Sequence, residues 1–241
     1  DLASAASLIV QSAFASSGQS CLSARRLIVH DNLADILVGE VKRLADRLII
    51  DEPHAELTPY MGPLISVEAA DTLTDSFLYL MSNGGRPIKH MQRPKGDLPF
   101  VTPGIIDVTA MEKRPDIEYF GPLLQVVRVH NFEEAVAEAN ATRYGLCAAL
   151  VGGGQQHFDY LWANSRAGIV NWNRPTTAVP LNTPIGGRGL SGNHRPGGSY
   201  AADHCADPVI ASATEYPRAS IGIGLKLDDY ATDAAEDAEA A

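Results

Sequence analysis

A thiol in a polar turn is the first candidate for chemistry in this chain. Cys21 stands in FASSGQSCLSARR (residues 14–26), next to Gly18, Gln19 and Ser20 and ahead of Arg25 and Arg26, outside any apolar run. A cysteine attacks as its thiolate, which cations and backbone N–H groups favour. The Cys21 N–H could also face the oxygen of a carbonyl under attack, as half of an oxyanion site. Against this stands the frequency with which free cysteines are inert core side chains. Cys147 in GLCAALV reads that way, as part of a buried strand. Cys205 in AADHCADP has His204 beside it, but adjacent side chains seldom converge, and a structural role is expected.

A second group lies later in the chain. Glu118 in DIEYFGP precedes an aromatic and a Gly-Pro bend. A single carboxylate at a strand mouth could hold the hydroxyl pair of a ribose, although the residues alone favour a solvated acid before a turn and a core position for Phe120. Arg174, Arg188, His194 and Arg195 crowd the last loops together with Asn171 and Asn173. Guanidinium forks bind carboxylates two bonds at a time, so a substrate with carboxylates away from its reacting carbon is the chemistry this cluster suits, solvated surface arginines being the plainer alternative. The seven histidines are scattered, with no two at ligand spacing on one helix, and no metal site is expected. Gly186, Gly187, Gly189 and Gly192 do not follow a strand and open a helix, so they do not make a phosphate cradle.

Elements that position these residues follow from the pattern. Leu2, Ala5, Ala6, Ile9, Val10, Ala13 and Phe14 recur at helical spacing, and Gly18 can end that helix just before Cys21. RLIVH reads as a strand, and Leu33 to Leu48 as an amphipathic helix that Asp31 or Asn32 can cap. Further along come a Pro-rich loop (TPYMGPLIS), a helix near 67–81, and strands near 86–91 and 103–108. LLQVVRV, GLCAALVG and GIVNW read as strands alternating with helices FEEAVAEAN and 155–165. Strands alternating with helices imply an α/β domain with a mainly parallel sheet and flanking helices. TPIGGRGLSGNHRPGG is a long glycine-rich loop of the kind that serves a site, and PVIASAT a lone terminal strand.

The whole composition bounds the answer. The 241 residues are 45% hydrophobic and 20% charged, which suits a folded globular protein. No apolar run is long enough for a membrane span and the first residues lack a basic leader, so a cytoplasmic protein without a membrane partner is expected. Three widely spaced cysteines suit a reducing compartment. The net charge of −10 owes most to 228–241, which holds six acids and no base and reads as a disordered tail. Without a basic stripe, no nucleic-acid partner is expected.

Taken in order, FASSGQSC, TPYMGPLIS, EYFGP and PIGGRGLSG resemble the cysteine signature, MGP loop, cofactor-ribose motif and late glycine loop of the aldehyde dehydrogenase superfamily. The resemblance covers residues 1 to about 215. It implies Cys21 as nucleophile, Glu118 as the carboxylate on the nicotinamide ribose of NAD, and Phe120 as the aromatic beside it. VNWNRPTT and SGNHRPGGSYAADHCADPV resemble a branch acting on a semialdehyde with two remote carboxylates, which implies Arg174, His194 and Arg195 as substrate residues. Other semialdehydes, and a non-catalytic self-associating fragment, are the alternatives; a cysteine hydrolase would need His30 or His194 at the thiol. The family's general-base Glu and oxyanion Asn precede the cysteine by tens of residues, and the chain looks like the C-terminal, catalytic-domain portion, without the cofactor domain. The implied organisation is a catalytic domain over 1–200, an oligomerisation strand segment over 201–216 that makes a homo-oligomer, and an acidic tail over 217–241. Ile185 stands where the family often has Phe, and Ser23 is an unusual choice two residues after the cysteine.

Overall fold

A computed structural model describes residues 1–192 and 197–217. Contacts divide the chain into two units, Asp1–Cys205 and Ala206–Ala241. Among the described residues, the first holds the regular elements: helices α1 (Leu2–Phe14), α2 (Asp31–Ala45), α3 (Val67–Ser82), α4 (Phe132–Asn140) and α5 (Gln155–Asn164), with strands β1 (Arg26–His30), β2 (Arg86–Lys89), β3 (Gly104–Asp107), β4 (Leu123–Val129), β5 (Cys147–Leu150) and β6 (Ile169–Trp172).

The mainly parallel α/β arrangement is present, but as two sheets. Strands β1, β4, β3 and β2 form one, in that order, and β5 pairs with β6 in the other. Neighbours are parallel in both, with Arg26 opposite Gln125, Gly104 opposite Leu123 and Cys147 opposite Ile169. The exception is β2, antiparallel to β3 at the edge, where Pro87 is tolerated because an edge strand can do without one ladder donor.

Burial on both faces explains why β4 is apolar apart from Gln125 and Arg128. Leu124 and Val126 face a core made with Ile9, Phe14, Val38 and Val41 of α1 and α2. Leu123 and Val127 face the opposite core, with Leu73, Phe77 and Leu80 of α3. A strand covered by helices on both faces has no polar side to show.

One local expectation is corrected, and the terminal strand is not shown. The cap of α2 is His30, whose Nδ1 accepts the Asn32 N–H at 3.2 Å, not Asp31 or Asn32. Asp31 already sits in the first turn, where its charge meets the positive helix end, and it pairs with Arg128 at 3.3 Å. Residues 208–214 carry no strand in the single chain, and Val209 and Ile210 are exposed; a lone strand has no ladder to join without a partner.

Helix α3 begins at Ser66, whose Oγ accepts the Ala69 N–H at 3.2 Å. Removing that acceptor leaves a helix-end donor unsatisfied. Ser66→Ala is expected to cost about 1 kcal/mol, lowering the midpoint of thermal unfolding by about 2–4 °C, which calorimetry would read. No helix among the described residues is long and apolar enough to cross a membrane.

Candidate active site

Cys21 owes its position to an abrupt end of α1. Phe14, fully buried, closes the helix. Ser16 and Ser17 then take left-handed backbone angles (φ 53° and 56°) and Gly18 follows at φ 66°. Such angles cost a serine on the order of 1–3 kcal/mol each unless surrounding contacts enforce them. The contacts are there. Ser17 Oγ donates to the Gly62 carbonyl at 2.9 Å, Gln19 Nε2 donates to the Pro63 carbonyl at 3.3 Å, and Gln19 Oε1 accepts the Ile65 N–H at 2.8 Å. The MGP loop is therefore the brace under the cysteine turn. Gly18 also accepts the Gly121 N–H at 3.1 Å, tying this turn to the EYFGP segment.

Cys21 itself is exposed in the turn, and its N–H makes no hydrogen bond among the described residues. A free thiol beside a free donor is the geometry an attacking sulfur and an oxyanion need. A cavity of about 750 Å³ is lined by Cys21, Arg25, Glu118, Cys147 and Thr176 and extends along β1 and β5. That volume suits a small-molecule site.

Glu118 stands in this cavity wall. It is not a solvated acid: Arg25 donates to its Oε1 from Nε at 3.3 Å and from Nη2 at 3.1 Å. Oε2 has no hydrogen-bond partner among the described residues and can take a ligand hydroxyl. Phe120, expected in the core, is 51% exposed, and the Arg25 guanidinium lies 5.0 Å from its ring centroid. Tyr119 between them is the side chain that turns inward. Burial pulls Arg25 below its ordinary value while the Glu118 hydrogen bonds pull it back, and it stays charged.

Cys147 is half-buried, not fully buried as its strand suggested, because β5 borders the cavity. Burial foremost, with the negative charge that Cys21 can carry, pushes its thiol up to about 12. Its Sγ and Thr176 Oγ1 both donate to the Leu22 carbonyl, at 3.5 and 2.6 Å. Cys147 thus holds the residue after Cys21. Cys205 is exposed in a short turn of the first unit.

Arg174 is exposed and its side chain makes no ion pair among the described residues. Thr176, two residues on, anchors its loop beside Leu22 and, through its N–H, on Ser12 Oγ at 3.1 Å. The free cation therefore stands on a loop fixed to the cysteine turn. Asn171 is engaged with the carbonyls of Pro175 and Ala178, which shapes that loop. His194 and Arg195 lie outside the described residues. His30, at the end of β1, lines the same cavity but uses Nδ1 to cap α2. No His, Asp or Glu makes a hydrogen bond to Cys21 among the described residues, and no metal-binding cluster occurs among them. Sequence reasoning noted the arginine pair but missed its division of labour: Arg26 turns to Glu138 at 2.9 Å, Arg25 to Glu118.

Residues 1–209 match the model of the aldehyde dehydrogenase family. The chain is 62% identical over 226 residues to an N-succinylglutamate 5-semialdehyde dehydrogenase of Sphingopyxis alaskensis, covering 94% of this chain and 47% of that protein. It is 59% identical to one of Novosphingobium aromaticivorans, covering 93% and 48%. The chain thus spans about half the length of these curated relatives. Among solved structures, aldehyde dehydrogenase 21 of Physcomitrella patens in complex with the reaction product succinate superposes with a TM-score of 0.76 at 30% identity, covering 82% of this chain and 40% of that one. A 1-pyrroline-5-carboxylate dehydrogenase from Thermus with bound NAD gives 0.73 at 30% identity, covering 80% and 37%.

Proposed function

The chain belongs to the aldehyde dehydrogenase family, and from that premise we propose that it supplies the nucleophile and the ribose carboxylate of an NAD-dependent N-succinylglutamate 5-semialdehyde dehydrogenase of arginine catabolism. The observation that carries this is the exposed Cys21 with its free N–H on the same cavity as Glu118. Identities of 59% and 62% to relatives of that name support the substrate.

Cys21 forms a carbon–sulfur bond to the aldehyde carbon, and the carbonyl electrons move to oxygen, where the Cys21 N–H holds the negative charge. NAD, when bound, supplies the hydride acceptor. The residues present fit it: Glu118 Oε2 is open to a ribose hydroxyl and Phe120 offers an exposed aromatic face. Once the carbon is oxidised to a thioester, water adds to it and Cys21 departs as thiolate, leaving the acid. Glu118 orients the ribose throughout. Arg174, with His194 and Arg195, meets the substrate carboxylates.

Homo-oligomerisation through 208–214 belongs to the same reading, supported by the exposed Val209 and Ile210. So do the division into a catalytic domain (1–200), a strand segment (201–216) and a tail (217–241), and a cytoplasmic location, which the three free cysteines suit.

NADH formation in the full-length protein tests the function. The succinylated semialdehyde is expected to be oxidised with a kcat/KM at least about tenfold above that of free glutamate semialdehyde, the worth of one charge-assisted contact. Arg174→Ala should erase most of that preference by raising KM. Equal rates on the two aldehydes would overturn the substrate, and an unchanged preference in the variant would overturn the role of Arg174.

A further inference from the structure

Arg25 uses every donor it has. Its guanidinium carries five N–H groups in a rigid fork. Nε and one Nη2 hydrogen go to Glu118 Oε1. The other Nη2 hydrogen goes to the Ser20 carbonyl at 2.9 Å. Nη1 donates to the Gly18 carbonyl at 2.7 Å and the Gly121 carbonyl at 3.3 Å. Its face lies against Phe120. One cation thus joins two segments some hundred residues apart: the turn that carries Cys21, through Gly18 and Ser20, and the EYFGP segment, through Glu118, Phe120 and Gly121.

The geometry points to Arg25 as a positioning residue that fixes the separation between the nucleophile and the carboxylate for the cofactor ribose. The proposal rests on the reading of Glu118 given above. Two alternatives make different demands. A surface ion pair would contribute little, and Arg25, with 15% of its side chain exposed, is not one. A purely structural clamp would stabilise the fold without aiming anything. It would not have to leave one carboxylate oxygen free, yet both Arg25 contacts to Glu118 fall on Oε1, and Oε2 of this cavity-lining residue has no hydrogen-bond partner among the described residues. Arg25 holds Glu118 by one oxygen and presents the other. Lysine cannot replace this fork, because a single ammonium has three donors at one point and cannot reach Glu118 and three carbonyls together.

Binding calorimetry with NAD, on the full-length protein without substrate, tests the proposal, with KM for NAD and kcat measured alongside. The variants are Arg25→Met, Arg25→Lys, Glu118→Gln and the double Arg25→Met, Glu118→Gln, each checked for thermal unfolding. Glu118→Gln is expected to weaken NAD binding by about tenfold or more. Arg25→Met should weaken it by a similar factor and also lower kcat at saturating NAD, since the Cys21 turn loses two of its restraints. Arg25→Lys should recover only part of both. The double variant should bind NAD no more weakly than Glu118→Gln, because the two residues act through one contact.

NAD binding unchanged in Arg25→Met, with Glu118→Gln impaired, would overturn the positioning role and leave the reading of Glu118 standing. Additive losses in the double variant would do the same. NAD binding unchanged in Glu118→Gln would overturn both at their shared premise. If Arg25→Met does not fold, Arg25→Lys decides: wild-type NAD affinity and kcat there refute the fork, and a loss of both in a protein of normal thermal stability supports it.

Discussion

Cys21→Ala in the full-length protein is expected to lower kcat for aldehyde oxidation by at least about a thousandfold, the scale on which enzymes lose their nucleophile, with NAD affinity little changed. The size of the loss follows from the lack of a substitute. Cys147 borders the same cavity, but its thiol is pushed up to about 12, chiefly by burial, so at pH 8 only about one part in ten thousand is thiolate. Its sulfur also donates to the Leu22 carbonyl and is aimed at the backbone. Cys205 is exposed, yet it is not among the residues lining the cavity. Stopped-flow measurement of the first NADH turnover would show the loss directly. Cys147→Ala should keep most of the activity. Alkylation by iodoacetamide, mapped by mass spectrometry, should inactivate in proportion to modification at Cys21 and not at Cys205. Normal turnover in Cys21→Ala would refute the mechanism.

The contrast between these thiols shows where sequence reading succeeds and where it stops. The apolar neighbours of Cys147 place it on a strand, because strand pattern is a local property, although β5 borders the cavity and leaves the side chain half-buried. Periodicity placed α1 and the doubly covered β4 for the same reason: the core is written at spacings of two and near four. The role of Arg25 was not legible. Its partner Glu118 is distant in sequence, and nothing in CLSARR distinguishes the arginine that turns to it from the one that turns to Glu138. Phe120 was misassigned because an aromatic in a short loop defaults to the core, whereas here Tyr119 takes the buried position and leaves Phe120 outside with Arg25 on its face. The cap of α2 fell to His30 because a ring nitrogen one residue earlier reaches the same amide that a carboxylate usually takes. Local composition thus reports what each segment buries, and pairing across the fold decides which polar side chain does what.

The left-handed run before the cysteine carries the second large effect. Gly18→Ala is expected to destabilise the protein by about 3 kcal/mol and to remove most of the activity. An added Cβ would lie 2.2 Å from the Gly121 carbonyl oxygen and 2.9 Å from the Pro122 nitrogen, both of them backbone. Neither can step aside as a flexible side chain would, so one of the two segments must move. Left-handed angles alone cost an alanine about 1–2 kcal/mol, and forcing atoms into a packed contact adds about 1–3 kcal/mol. For a chain of this size the sum corresponds to a fall of about 6–12 °C in the unfolding midpoint. The functional loss should exceed the stability loss, because the segments pushed apart are the two that Arg25 joins: the Cys21 turn and the backbone beside Glu118. Ser16→Gly provides the control two residues earlier. It relieves a left-handed serine but loosens the unfolded chain by about 0.5–1 kcal/mol, so its net effect should lie near zero. An alanine at 18 that leaves both the unfolding midpoint and kcat unchanged would show that the turn and the EYFGP segment do not need their close approach.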